Sequence, residues 1–190
     1  MAFTQRAAEL KAAGADIVSL TAGEPDFDTP SHIIAAAKDA LDRGMTRYTP
    51  VGGLPELKQA VAADSARARG VPCHPEQVIV TVGAKHALYG FLMALLDPED
   101  EVIIPAPYWV SYPDQVQLAG GRPVIVETGP ESEYLLTPQA LSAALTPRSR
   151  VLVLNDPNNP SGAVYPAGQL SELIAVAVDA GLYVLSDEVY

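Results

Sequence analysis

The sequence predicts an α/β fold built on a predominantly parallel sheet with helices on both faces. Two observations predict it. Strand-like apolar runs alternate with helix-like segments from residue 77 to residue 187. Most of these runs are apolar without alternation, which is typical of strands that are buried on both faces. With 190 residues, of which 48% are hydrophobic, the chain is long enough for one sizeable domain.

The elements follow in order from apolar periodicity and from the prolines and glycines that separate them. Helices are expected at residues 6–13, 30–41, 55–69, 83–96, 107–120 (after a loop), 135–145 and 167–180. Strands are expected at residues 77–82, 101–105, 122–127, 150–155 and 182–187. Thr137-Pro138 opens the sixth helix, and Gly70 ends the third.

Composition and charge argue against several classes of function. The formal net charge of -11 disfavours binding to nucleic acid. No apolar run reaches the roughly 20 residues of a membrane helix, and the charged N-terminus is unlike a secretory signal. Cys73 is the single cysteine, which favours a reducing compartment. We therefore expect a cytoplasmic protein that does not contact membranes.

Unusual residues follow the predicted strands, where ligands bind in open parallel sheets. Gly83-Ala84-Lys85 opens a helix, and its free N–H groups suit an anion. Trp109, residues 156–162 and Asp187 follow three later strands. Each has a plainer interpretation: a common small-residue turn, a core tryptophan, a tight loop and a solvated carboxylate. The four together favour a site for a planar, anionic cofactor.

Six motifs in order carry a resemblance to a known family: TAGEPDFDTP, RYTPVGGLPELKQAV, VTVGAKHAL, PYWVSYP, NDPNNPSGAVYP and SDEVY. They cover nearly the whole chain. The chain resembles the N-terminal portion of the class I pyridoxal-phosphate-dependent aminotransferases of fold type I, in particular the aspartate and aspartate/prephenate aminotransferases. The resemblance implies amino-group transfer between an amino acid, with aspartate the expected one, and a 2-oxo acid.

The resemblance also implies contacts to pyridoxal 5'-phosphate. Ala84 and Lys85 would hold the phosphate, and Trp109 would stack on the ring. Asp187 would pair with the pyridinium nitrogen, and Tyr190 would hydrogen-bond the 3-oxygen of the ring.

Three further contacts are implied on the substrate side and across a dimer. Asn159 would bind the 3-oxygen and the substrate carboxylate side, next to Trp109, and Gly23 would donate its N–H to the α-carboxylate. Tyr48 would reach the cofactor phosphate of a partner subunit. A homodimer is therefore expected, and no metal is.

The resemblance implies that residues 1–45 form part of a small domain with the substrate loop. It implies that residues 46–190 form an incomplete cofactor-binding large domain, with the C-terminal small domain absent. The family's Schiff-base lysine belongs to a later motif, so no catalytic residue is assigned here. Lys85 is expected to pair with phosphate instead.

The isolated chain is accordingly expected to be inactive and to self-associate through an open sheet edge. Two alternatives stay open. One is a truncated, non-catalytic module for cofactor binding or assembly, and the other is a lyase or aminocyclopropane-carboxylate synthase of the same fold.

Overall fold

The structure is a computed structural model that describes residues 2–18, 23, 27–188 and 190. The chain divides into two compact units, residues 1–49 and 50–190. The first unit contains α1 (Ala2–Ala12) and α2 (Ser31–Asp42). Pro30 precedes α2, where its fixed φ and missing N–H are well suited to a helix start. α1 begins earlier than the sequence predicts, and α2 agrees to within a residue.

The second unit carries the sheet. Its helices are α3 (Pro55–Arg69), α4 (Ala84–Leu95), α5 (Ser111–Leu118), α6 (Pro138–Ala144) and α7 (Ala167–Asp179). Its strands are β1 (Glu101–Ala106), β2 (Arg122–Glu127), β3 (Ser149–Asn155) and β4 (Tyr183–Asp187). These bounds agree with the predicted helices and strands to within a few residues, apart from the 107–120 and 135–145 segments, in which the helix is shorter. None of the helices that the structure describes has the length and apolar character needed to cross a membrane.

The four strands form one parallel sheet in the order β2-β1-β3-β4. The chain first adds β2 on one side of β1 and then crosses back to add β3 on the other. Because the winding direction reverses between β1 and β3, a crevice opens there at the carboxyl ends of the strands. The topology thus points to one edge of the sheet as the place for a ligand.

Both faces of the sheet are covered by helices, as the sequence predicts. On one face Ile103 and Leu152 pack with Leu173 of α7, and all three are fully buried. On the other face Val102 and Val116 of α5 pack in a second cluster with residues of α4. Adjacent strand residues therefore point into different cores, which explains why the strands are apolar without alternation.

The strand predicted at residues 77–82 is wrong. Residues 75–77 form a short 3-10 helix, Val78 is extended, and residues 78–82 pair with no described strand. The Val80 N–H instead donates to Gly52 O at 3.0 Å. At Gly53, with φ of 103°, a Cβ would lie 2.6 Å from Val80 Cγ2, so this close approach needs glycine.

At the amino ends of the strands, Glu101 is 1% exposed. Its carboxylate accepts hydrogen bonds from Thr146 Oγ1 at 2.6 Å and from Ser149 Oγ at 3.5 Å, and it forms an ion pair with Arg122. The Thr146 hydrogen bond, helped by Arg122 and opposed by burial, holds the pKa of Glu101 below its usual range. Glu101 thus joins β1, β2 and β3 as a buried anion.

Candidate functional site

The candidate site lies at the carboxyl ends of β1, β3 and β4 and at the N-terminus of α4. Trp109 follows β1 and is half-buried, and Asp187 ends β4. Lys85, in the first turn of α4, places its ammonium 4.7 Å from the centroid of the Trp109 ring. Trp109 and Asp187 lie at one edge because parallel strands present their carboxyl ends there, and α4, which follows no described strand, adds Lys85.

Trp109 offers a flat apolar ring. Tyr112 contacts it edge to face, with ring centroids 5.5 Å apart and an interplanar angle of 78°. Lys85 covers a face of the indole through a cation–π contact. A ligand ring stacked on that face would displace the Lys85 ammonium, and this side chain is exposed and long enough to move.

Asp187 is held at two points. Its Oδ2 accepts a hydrogen bond of 2.7 Å from Tyr112 Oη, and its main-chain O accepts one of 2.9 Å from Asn155 Nδ2. Burial, and then the hydrogen bond to Asp187, raise the pKa of Tyr112 far above its usual range. The phenol therefore stays protonated and donates to the carboxylate at any ordinary pH.

Asn155 connects Asp187 to the turn that follows β3. Asn155 is buried, and its Oδ1 accepts the Asn159 N–H at 2.7 Å. Within the turn, Asn158 Oδ1 accepts from the N–H and hydroxyl groups of Ser161, at 3.1 and 2.7 Å. The two asparagines fix the backbone of the turn, so the half-buried Asn159 side chain projects from a rigid base.

The N-terminus of α4 is open to a ligand. Gly83 has φ of 88°, and a Cβ built on it would meet no described atom within 4 Å. No side chain caps this helix end. The first N–H groups of α4 that donate to Gly83 O are those of His86 and Ala87. Among the described residues the preceding N–H groups, of Ala84 and Lys85, have no acceptor, as is usual in a first helical turn, so they can bind an anion. The site therefore fits a planar cofactor with a phosphate at one end and a basic nitrogen at the other.

The structure brings together five of the residues that the resemblance implies: Ala84, Lys85, Trp109, Asn159 and Asp187. Sequence reasoning missed the buried residues that hydrogen-bond to this group: Tyr112, Gln115 and Asn155. Their partners lie 75, 30 and 32 residues away in the chain. Asn155 ends an otherwise apolar strand, which is a local signal, but α5 (SYPDQVQL) is polar along its length, so Tyr112 and Gln115 do not stand out in it.

The other implied residues are Gly23, Tyr48 and Tyr190. Gly23 and Tyr48 belong to the first unit, where both are exposed. Tyr190 is 73% exposed. Half of the TAGEPDFDTP motif, residues 21–22 and 24–26, and Val189 of SDEVY lie outside the described residues. In the described ranges, no cluster of three His, Cys, Asp or Glu side chains is arranged for a metal ion.

Comparison with known proteins gives a consistent match. Residues 15–190 match the family model described as aminotransferase class I and II. The aspartate aminotransferase of Geobacillus stearothermophilus is 52% identical over 190 residues, covering 100% of this chain and 48% of the relative. The aspartate/prephenate aminotransferase of Thermus thermophilus is 50% identical, with 100% and 49% covered.

Solved structures give the same match. The aspartate aminotransferase from Thermus thermophilus with maleate superposes with a TM-score of 0.96 at 51% identity, covering 100% of this chain and 50% of that one. An aspartate aminotransferase from Thermotoga maritima superposes with a TM-score of 0.95 at 39% identity, with 100% and 51% covered. The chain spans about half the length of the relatives it matches.

Proposed function

The chain belongs to the class I and II aminotransferases, a family that uses pyridoxal 5'-phosphate, and from this we propose that it supplies a large part of the cofactor site of an amino-group transferase. The observation that carries the proposal is the group formed by Trp109, Asp187 and the open N-terminus of α4 at one sheet edge. This group matches the three parts of the cofactor, which are an aromatic ring, a basic ring nitrogen and a phosphate.

Asp187 would pair with the ring nitrogen and keep it protonated. When bound, the cofactor supplies an electron-poor ring that stabilises negative charge developing on the substrate Cα. The residues around Asp187 keep its carboxylate oriented, because Tyr112 donates to one oxygen and Asn155 holds the main chain. A fixed carboxylate loses less entropy on pairing than a mobile one does.

The remaining contacts complete the assignment. The Ala84 and Lys85 N–H groups would bind the phosphate, favoured by the positive end of the helix dipole. Trp109 would stack on the ring, and Asn159 and Tyr190 would bind the 3-oxygen. For Ala84, Lys85, Trp109 and Asn159 these roles rest on position and donor chemistry at the carboxyl edge of the sheet, and for Tyr190 on the family resemblance.

For the substrate we propose an amino acid, aspartate first, and a 2-oxo acid. This rests on the relatives, which are named as aspartate and aspartate/prephenate aminotransferases. Gly23 would donate to the α-carboxylate beside Asn159 and Trp109. Tyr48, which is fully exposed, would reach the phosphate bound by a partner subunit in a homodimer.

The test is cofactor binding followed through the single tryptophan, Trp109, whose emission reports on the site directly. The purified chain is expected to bind pyridoxal 5'-phosphate with quenching of this emission. Asp187→Ala is expected to weaken binding about 10- to 100-fold, because a hydrogen bond to a charged group contributes about 1.5–3 kcal/mol. The matched control is Asp179→Ala, which removes an exposed aspartate at the end of α7 and leaves binding unchanged.

A cofactor analogue with carbon in place of the ring nitrogen sharpens the assignment. Wild type is expected to prefer the natural cofactor, and Asp187→Ala to bind both equally weakly. Absence of quenching by pyridoxal 5'-phosphate in the wild type would contradict the proposal.

A separate activity assay uses the same preparation. The 190-residue chain alone is expected to give no amino transfer from aspartate to 2-oxoglutarate. Turnover above a blank free of host enzymes would contradict this expectation.

A further inference from the structure

Helix α5 carries two buried polar side chains on its inner face. Tyr112 and Gln115 are three residues apart, so they project from the same side of the helix. They are 3% and 6% exposed, beside the apolar Val116. Polar side chains buried this deeply are costly unless they are fully hydrogen-bonded, so their presence calls for an explanation.

The two side chains reach opposite ends of the candidate site. Gln115 Nε2 donates to the main-chain O of Lys85 at 2.8 Å, in the first turn of α4. Tyr112 Oη donates to Asp187 Oδ2 at 2.7 Å, at the end of β4. In the proposed function these are the phosphate end and the ring-nitrogen end of the cofactor. α5 therefore connects the two ends through one hydrogen bond to each.

In the part of the chain that the structure describes, the Gln115 side chain makes one hydrogen bond, to an acceptor that already lies inside a helix. Lys85 O lies within α4, so the N–H of the residue four positions on satisfies it without Gln115. The Gln115 Oε1 atom is buried and has no hydrogen-bond partner among the described residues. A buried acceptor without a partner lowers stability. The buried Oε1 atom therefore lowers the stability of the fold, while Nε2 contacts the first turn of α4. This combination indicates that the side chain positions that turn.

We propose that α5 sets the distance between the two ends of the cofactor site, with Gln115 and Tyr112 as the positioning residues. Gln115 holds the N–H groups of the first turn of α4 in place for the phosphate. Tyr112 holds the Asp187 carboxylate in place for the ring nitrogen. The inference rests on the proposed function, because it assigns the two ends by the cofactor groups that they would bind.

The experiment compares pyridoxal 5'-phosphate with pyridoxal, which lacks the phosphate, by calorimetry and by Trp109 emission. Calorimetry is needed because Tyr112 touches the Trp109 ring. Gln115→Met is expected to weaken binding of the phosphate form about tenfold and to leave pyridoxal binding unchanged. Tyr112→Phe is expected to weaken binding of both about tenfold, since both contain the ring nitrogen.

The double variant tests the spacing itself. If α5 sets one distance, the fold-loss in affinity for pyridoxal 5'-phosphate in the double variant is smaller than the product of the two single fold-losses. The reason is that a ligand already misplaced at one end of the site binds less strongly at the other end, so the second substitution removes less. Independent contacts would give the full product. A full product, or an equal loss of pyridoxal binding in Gln115→Met, overturns the inference.

Controls separate positioning from folding. Gln117→Met lies on the exposed side of α5, and Tyr183→Phe lies at the other end of the sheet, so neither should alter binding. If Gln115 is needed for folding, Gln115→Met should be less stable in urea than the wild type. If Gln115 serves positioning, the variant should be as stable as the wild type or more stable. Gln115→Asn, whose amide is too short to reach Lys85, gives the same test if the methionine variant fails to fold. If the wild type binds the cofactor and the Gln115 and Tyr112 variants bind it equally well, only this inference is overturned. If the wild type does not bind the cofactor, the proposed function is overturned.

Discussion

Glu101→Gln should destabilise the second unit by an amount that depends on pH. The substitution keeps the shape of the side chain and removes its charge. Two close donors, Arg122 and Thr146, then lose a charged acceptor. Hydrogen bonds to ionised groups are roughly twice as strong as neutral ones, which are worth about 1 kcal/mol net. The loss at neutral pH is therefore about 2 kcal/mol, since the Ser149 contact at 3.5 Å is too long to add much.

The sign of the pH dependence follows from the lowered pKa of Glu101 in the folded state. The unfolded chain binds the proton first, at about pH 4.3, as the pH falls. The stabilisation from ionised Glu101 is therefore complete at neutral pH and is lost as the pH falls through the unfolded and then the folded pKa. Wild type and Glu101→Gln should converge in stability at low pH, where both carry a neutral side chain.

The assay is urea denaturation followed by Trp109 emission, which reports on the second unit, at several values between about pH 7 and about pH 3. The free energy of unfolding of the variant is subtracted from that of the wild type at each pH. This difference cancels the effects of the other carboxylates, which titrate in both proteins. Glu172→Gln, an exposed glutamate on α7, is the matched control and should change stability by less than about 0.5 kcal/mol. A gap that stays constant across this pH range would refute the reasoning.

Two further substitutions test the core. Leu152→Ala, at a fully buried position on β3, should cost about 2–5 kcal/mol in urea denaturation, whereas Leu118→Ala, at a position 72% exposed, should cost far less; equal losses would argue against the observed core. Tyr165→Phe removes the acceptor of the Leu136 N–H, a buried bond of 2.9 Å, and should cost about 1–3 kcal/mol. Thermal denaturation and amide exchange at Leu136 check this, and an unchanged exchange rate would contradict it.

Local signals predicted most of the fold. Four strands and seven helices agree with the described elements because apolar runs, prolines and glycines act within a few residues. Residues 77–82 show the limit of such signals. The run is rich in β-branched residues, yet a strand also needs a neighbour to pair with. The Val80 N–H donates to Gly52 O instead, and the local sequence does not predict this hydrogen bond.

The candidate site likewise contains residues that the sequence predicted and residues that only the structure revealed. Trp109, Asn159 and Asp187 were accessible from sequence, because each follows or ends a predicted strand and parallel topology gathers those ends. Tyr112 and Gln115 were not, although both lie in a predicted helix. Their importance comes from partners far along the chain, which only packing brings within hydrogen-bonding distance.

The sequence by itself determined the α/β class, the order of the elements and the residues presented at the carboxyl edge of the sheet. These follow from chain-local preferences together with the rule that buried parallel strands point one way. Only the tertiary structure decided how Asp187 and the first turn of α4 are held relative to one another. That arrangement depends on two buried side chains of α5, and the free energy of such contacts exists only once the helices have packed on the sheet.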